Sequence, residues 1–377
     1  MKLLLADHQA HLKFAPLTLT RPVGALRCGI YTNAERWSKW FPEAAIGFET
    51  EAYLQAKFPA VEGIKINAQV LPNEELAAAL QALPENTSLY SNELWLATNG
   101  EALSKINYTG ENPILLKERW DLFEQNDAVL KADFLLATGG RLSGKLSKSN
   151  TLIGATDQLF IEEGAVVEGA ILNTKTGPIY IGKNVEIMEG SLLRGPLAIL
   201  DGAVIKMGAK IYGGTTIGPE CRIGGEVSNS IFYGYTNKGH DGFIGNALLG
   251  EWCNLGADTN CSNLKNNYGL INTYSYEHQA QIKTPLQFMG VCMGDHSKTA
   301  INVQLNTATV IGVSANIFSS GFPDKFIPSF SWVSDAQTDA FQLSKAIEAA
   351  KAMMSRRKID FTAADQVIFE TLSKQVV

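Results

Sequence analysis

Residues 181–223 read IGKNVEIMEGSLLRGPLAILDGAVIKMGAKIYGGTTIGPECRI, with an aliphatic side chain at every sixth position: Ile181, Ile187, Leu193, Ile199, Ile205, Ile211, Ile217 and Ile223. The spacing appears upstream at Ile153, Leu159, Ala165 and Ile171. It returns downstream at Phe243, Leu249 and Leu255, and again at Leu305, Ile311 and Ile317. Six matches neither the helical period of about 3.6 nor strand alternation. It is the period of a β-helix, whose short strands each send one side chain into a core shared by stacked coils. Glycine follows the aliphatic residue at Gly182, Gly218 and Gly224, where sharp corners favour a residue without Cβ.

The 377 residues carry a formal net charge of -6, which argues against a broad nucleic-acid surface. Five cysteines without CxxC spacing suit reduced thiols of a cytoplasmic protein better than a disulfide framework or a zinc site. The opening MKLLLADHQAHLKF reads as a buried strand, not a signal segment. No run approaches the roughly 20 apolar residues of a membrane span.

The period is absent from residues 1–145. There Leu3–Leu5 and Ser88–Ala97 read as strands, while Asn33–Trp40, Asn73–Leu83 and the stretch 116–134 read as helices. The alternation indicates an α/β domain. Gly139–Asn150 reads as a linker, and the solenoid domain spans 146–328. Its period breaks near 173–178, 225–242 and 260–287, where insertions are expected at the surface. Residues 329–377 turn helical. Ser334 with Gln337 predicts one helix start and Thr362 with Asp365 another, the pair covering an end of the solenoid.

The polar cluster TNKGHDGF (236–243) and GEWCNLGADTNCSNLK (250–265) carries the candidate chemistry, and the chain is expected to leave the coil there. An imidazole such as His240 takes a proton from an amine during attack on an acyl carbon. Asp241 or Glu226 would assist it. Asparagine side chains and amides near Ala257 and Asp258 can hold a sugar or an oxyanion. Lys238 and Lys265 can neutralise a phosphate. A three-histidine zinc site at His240, His278 and His296 is a competing reading, but no HxxxxH spacing supports it. Cys253 and Cys261 read as small core residues, and no metal is expected in the solenoid.

The pattern GHxxxIG…GxxxNLGAxTxxSN resembles the acetyltransferase half of the GlmU family, bifunctional enzymes of UDP-N-acetylglucosamine synthesis. The segments TRPVxxLRxGI, GYxNKxHDGFxG and NLGAxTNxSNLKNNYG extend the likeness over nearly the full length. The resemblance implies a truncated nucleotidyltransferase-like domain, a left-handed parallel β-helix and a homotrimer binding acetyl-CoA between subunits. It makes His240 the base and gives sugar and acetyl placement to Asn254 and Asn263. Phe243 lies where the family has a sugar-binding tyrosine, and Ser228 replaces a lysine. Gly294–Phe318 is similar to the coils along which acetyl-CoA lies, so Ala257, Asp258, Asn302 and Ser319 are its expected contacts. In the first domain the glycine-rich phosphate loop is replaced by LLLADHQAHLKF, leaving Thr20 and Arg21 of PLTLTRP as nucleotide contacts. The expected activity is acetyl-CoA-dependent N-acetylation of an amino-sugar 1-phosphate. The alternatives are additional uridylyl transfer from UTP with Mg2+, and a non-catalytic sugar-nucleotide-binding scaffold.

Overall fold

The computed structural model describes residues 1–375. They divide into two compact units: Met1–Arg27 with Tyr31–Arg119, and Cys28–Ile30 with Trp120 onward.

The first unit is built on a sheet ordered Ala45–Glu49, Lys2–Ala6, Ile64–Asn67, Leu94–Asn99, Thr87–Ser91, Ser104–Asn107. Lys2–Ala6 runs parallel to both neighbours, and Leu3 and Leu5 are fully buried. The helix Asn33–Trp40 starts at Thr32, which forms a reciprocal capping box with Glu35. Glu74–Gln81 is helical and is capped by Asn73, whose Oδ1 accepts from the Leu76 amide at 2.8 Å. The expected single strand at 88–97 is instead an antiparallel hairpin. Asn92 takes a positive φ of 54° between its arms, a conformation asparagine tolerates better than most residues.

The second unit is a three-faced parallel solenoid. Among the described residues its first face has nine strands, from Leu159–Ile161 to Phe326–Ile327, and its second has ten, from Val166–Val167 to Thr338–Ala340. The third holds six, from Thr151–Ile153 to Phe243–Gly245. The two-stranded pair Asn260–Cys261 and Gln304–Leu305 follows on later coils. The ladder Ile181 to Ile223 is buried throughout, as are Leu305, Ile311 and Ile317. Three ladder positions differ. Ile153, Ile171 and Phe243 face outward, and their neighbours Leu152, Leu172 and Ile244 face the core. The phase slips because coil corners vary in length: Ile223 and Val227, four positions apart, occupy successive inward sites usually separated by six.

The expected insertion at 225–242 is therefore not one. Glu226–Ser228, Ile231–Gly234 and Asn237–Lys238 all pair in register with the coil before, and only Gly239–Gly242 turns outward. The third break is a true insertion, carrying an antiparallel hairpin, Asn272–Ser275 with Ala280–Lys283. Tyr274 on that hairpin stacks on Phe326 at 3.6 Å.

Helix Asn126–Thr138, grouped with the α/β region by sequence, packs on first-face strands of the solenoid. Its Asn126 donates to the Gly214 carbonyl at 2.7 Å and accepts from the Gly29 amide at 2.6 Å. Gly29, the glycine of the LRxGI segment, has φ 78°, and a Cβ there would lie 2.3 Å from Asp133 Oδ2. Ser334 and Gln337 cap no helix. They close a turn into Thr338–Ala340, which pairs antiparallel with Ser331–Ser334 at the end of the second face. The helix starts later, at Leu343, and runs to Ser355. The Thr362–Asp365 capping box opens Ala363–Lys374 as expected.

Candidate active site

Three successive coils place their corners between the second and third faces directly over one another. The Asp258 amide donates to the Asp241 carbonyl at 3.1 Å, and the Asn302 amide to the Ala257 carbonyl at 2.8 Å. His240 is exposed on the first of these corners, Ala257 and Asp258 lie on the second, and Asn302 on the third. Beside them runs a groove of about 650 Å3 lined by Phe243, Asp258, Asn260, Asn302, Gln304 and Phe322. A further cavity of about 600 Å3 continues past Phe322 and includes Ser319, whose hydroxyl donates to the Gly321 carbonyl. The volumes fall in the range of small-molecule sites.

Asn260 and Gln304 were not anticipated. Each precedes an inward residue, Cys261 or Leu305, and the two are register partners, so the hexad phase places them in one outward column. Asn260 Oδ1 accepts from the Phe243 amide at 2.8 Å and so fixes the end of the histidine turn.

Several expected contacts lie elsewhere. Asn254 sits on the second face, in a ladder with Asn237 (2.9 Å). Asn263 lies beyond Cys261, donating to Asn246 at 2.8 Å. Lys265 enters the insertion and donates to the Leu270 carbonyl. Glu226 pairs in register with Phe243 one coil away, its carboxylate 3.9 Å from Lys210. The amide of Asp258 is committed to Asp241 and is not free to hold an oxyanion. Lys238 does not reach solvent: its side chain is 2 % exposed.

Burial pushes the Cys261 thiol up to about 12 and the Cys253 thiol above its ordinary range, which suits core residues. The three solenoid histidines do not converge. His278 is exposed beyond Ser275 in the hairpin, and His296 is buried against Trp252. Among the described residues no group of three or more His, Cys, Asp or Glu is placed to hold a metal ion. Nor is any helix among them long and apolar enough to cross a membrane.

In the first unit Thr20 and Arg21 are buried, and both donate to the Leu17 carbonyl. The turn that replaces the glycine-rich loop uses His8 and Gln9 at positive φ. Asp7 locks it, accepting from the Val23 amide at 2.8 Å and the Thr50 hydroxyl at 2.6 Å, with His11 at 3.2 Å.

Residues 3–142 match a family model described as sugar nucleotidyl transferase. Over 273 residues the chain is 26% identical to the bifunctional protein GlmU of Methanococcus vannielii, covering 71% of this chain and 55% of that protein. GlmU of Methanocaldococcus jannaschii is 26% identical over 57% of this chain and 45% of its own length. The chain is similar to GlmU. It spans about half the length of these relatives. Among solved structures, the UDP-N-acetylglucosamine acyltransferase of Francisella novicida matches at 14% identity and a TM-score of 0.27, covering 61% of this chain and 88% of that one. The polysialic acid O-acetyltransferase OatWY matches at 14% identity and a TM-score of 0.25, covering 51% and 84%.

Proposed function

We propose that the protein is an acetyl-CoA-dependent N-acetyltransferase acting on an amino-sugar 1-phosphate, with glucosamine-1-phosphate the first substrate to try, in sugar-nucleotide synthesis. The observation that carries the reading is the stacking of the His240–Asp241 turn on the corners of the next two coils, whose Asp258 and Asn302 line one groove with Phe243 from the end of that turn. In the reaction the sugar amine attacks the thioester carbonyl and its proton passes to the His240 imidazole. The carbon–sulfur bond then breaks and the CoA thiolate takes up a proton. Ala257, Asp258, Asn302 and Ser319 line the course of the acyl carrier, and Phe243 contacts the sugar. Asn254 and Asn263, on other walls in one protomer, contribute through a neighbouring copy in a homotrimer.

Thiol release from acetyl-CoA in the presence of glucosamine-1-phosphate tests this directly. His240→Ala is expected to lower kcat by about 100-fold or more, the scale of a general base. Equal rates for both proteins would remove His240 from the chemistry.

The match of residues 3–142 to sugar nucleotidyl transferases favours a second reading, uridylyl transfer from UTP. Against it stands the Asp7 carboxylate, already engaged by an amide, a hydroxyl and an imidazole and so poorly disposed toward Mg2+. Pyrophosphate release from UTP and N-acetylglucosamine-1-phosphate, with and without Mg2+, decides whether this activity is present in addition to acetyl transfer.

A further inference from the structure

The inward column of the second face runs Ile205, Ile223, Lys238, Leu255, and among the described residues only here does a coil fill an aliphatic place with a cation. The ammonium finds two acceptors at the corner. It donates to the Gly224 carbonyl at 2.9 Å and to the His240 carbonyl at 2.8 Å. Gly224 belongs to the shortened corner between Ile223 and Val227, and His240 to the full-length corner on the next coil. One side chain therefore ties a short corner to the longer one beside it.

Gly225 makes room for the tie. At φ +69° it has no Cβ, and one built there would lie 2.7 Å from Lys238 Nζ and 2.9 Å from Asp241 Cα. Gly242 closes the turn at φ +113°, and a Cβ there would meet the Thr259 carbonyl at 2.2 Å. The histidine turn is thus held by packed backbone at its end and by a buried ammonium at its middle. A side chain chosen for stability alone would be isoleucine or leucine, as on the coils to either side.

We propose that Lys238 is the positioning residue that fixes the His240 backbone, and with it the imidazole, on the turn that adjoins the groove. The inference deepens the assignment of His240 as base and rests on it for its kinetic consequence, though not for its structural one. The lysine never meets substrate. Its role is to hold the turn against the local opening that a glycine-flanked, solvent-facing segment otherwise undergoes.

The test compares full-length wild type with Lys238→Met and Lys238→Gln. Methionine fits the aliphatic column and carries no donor, while glutamine keeps two N–H donors without the charge. Hydrogen exchange of the peptide spanning Gly239–Gly242 is read together with melting temperature and acetyl transfer. Expected for Lys238→Met is a melting temperature equal to or above wild type and faster exchange confined to the turn. Its kcat should fall about 10- to 100-fold with KM nearly unchanged, as for a displaced catalytic group. Lys238→Gln is expected between the two, and decides the matter if the methionine protein does not fold. Exchange at the wild-type rate in the turn overturns the proposal. So does a drop in melting temperature with exchange raised across the whole solenoid, which marks a merely structural lysine. If wild type turns over no acetyl-CoA, the function assigned above fails, while the exchange measurement still decides the role of Lys238.

Discussion

An ammonium enclosed between the Gly224 and His240 carbonyls carries a cost that depends on pH. Burial pulls Lys238 down from 10.5 to about 8, and the Asp241 and Asp258 carboxylates keep it from falling further. Below pH 8 the lysine is protonated in both folded and unfolded chains, so the full desolvation cost is present. Between pH 8 and 10.5 the folded protein sheds the proton while the unfolded chain keeps it. The unfolded state then binds more protons, and stability rises with pH. The gain amounts to about 3 kcal/mol across that window. Urea unfolding at neutral and alkaline pH should show it in wild type and not in Lys238→Met, so the stability difference between the two narrows as pH rises. Parallel curves would mean that the lysine is hydrated in solution. The sequence offered Lys238 as an anion ligand because a cation beside a histidine usually faces solvent. Its inward place follows from a register that depends on how many residues the preceding corner holds, and a corner's length is not written in any one residue.

At the scale of the strand, the six-residue ladder was legible wherever the corners kept full length, from Ile181 to Ile223. It misled by one position where they did not, at Ile153, Ile171 and Phe243. A one-residue slip sends every side chain of a strand to its other face, so the two readings differ measurably. Ile244→Ala is expected to cost about 2 to 5 kcal/mol, the scale of a truncated core aliphatic. Phe243→Ala should leave denaturant stability nearly unchanged and alter the sugar's KM. Were Phe243→Ala the more destabilising of the two, the phase drawn here would be wrong. The candidate site was half legible for the same reason. His240, Asp258 and Asn302 belong to corners whose order survives any slip in the strands. Asn260 and Gln304 were missed because their column emerges only once the inward positions are fixed. The Ser334–Gln337 signal failed differently. A serine hydroxyl accepting an amide three residues on serves a turn as well as a helix start, and the strand pairing beyond it decides which.

For the molecule as a whole, the early coils of the third face leave apolar side chains in water. Leu192 is 45% exposed, Tyr212 43% and Ile171 39%, all lining a cavity of about 240 Å3 shared with Arg194 and Lys210. A solenoid wall is flat and repeats its side chains in register, so it can bury such a patch against another copy around a rotation axis. In the homotrimer proposed above a second copy would cover the patch, and the Asn254 and Asn263 walls of a neighbouring protomer would complete the groove. Leu192→Glu places a carboxylate at the middle of that patch without touching the solenoid core, since the neighbouring Leu193 is the inward residue. The variant is expected to keep its thermal unfolding and to run as a monomer in light scattering, at about one third of the wild-type mass. On that proposal acetyl transfer falls with dissociation, since each groove would lose the wall supplied by its neighbour. A wild-type protein that is monomeric and fully active, or a Leu192→Glu protein that stays assembled, would instead confine the chemistry to a single protomer. Asn254 and Asn263 would then be ladder residues of the coil and nothing more.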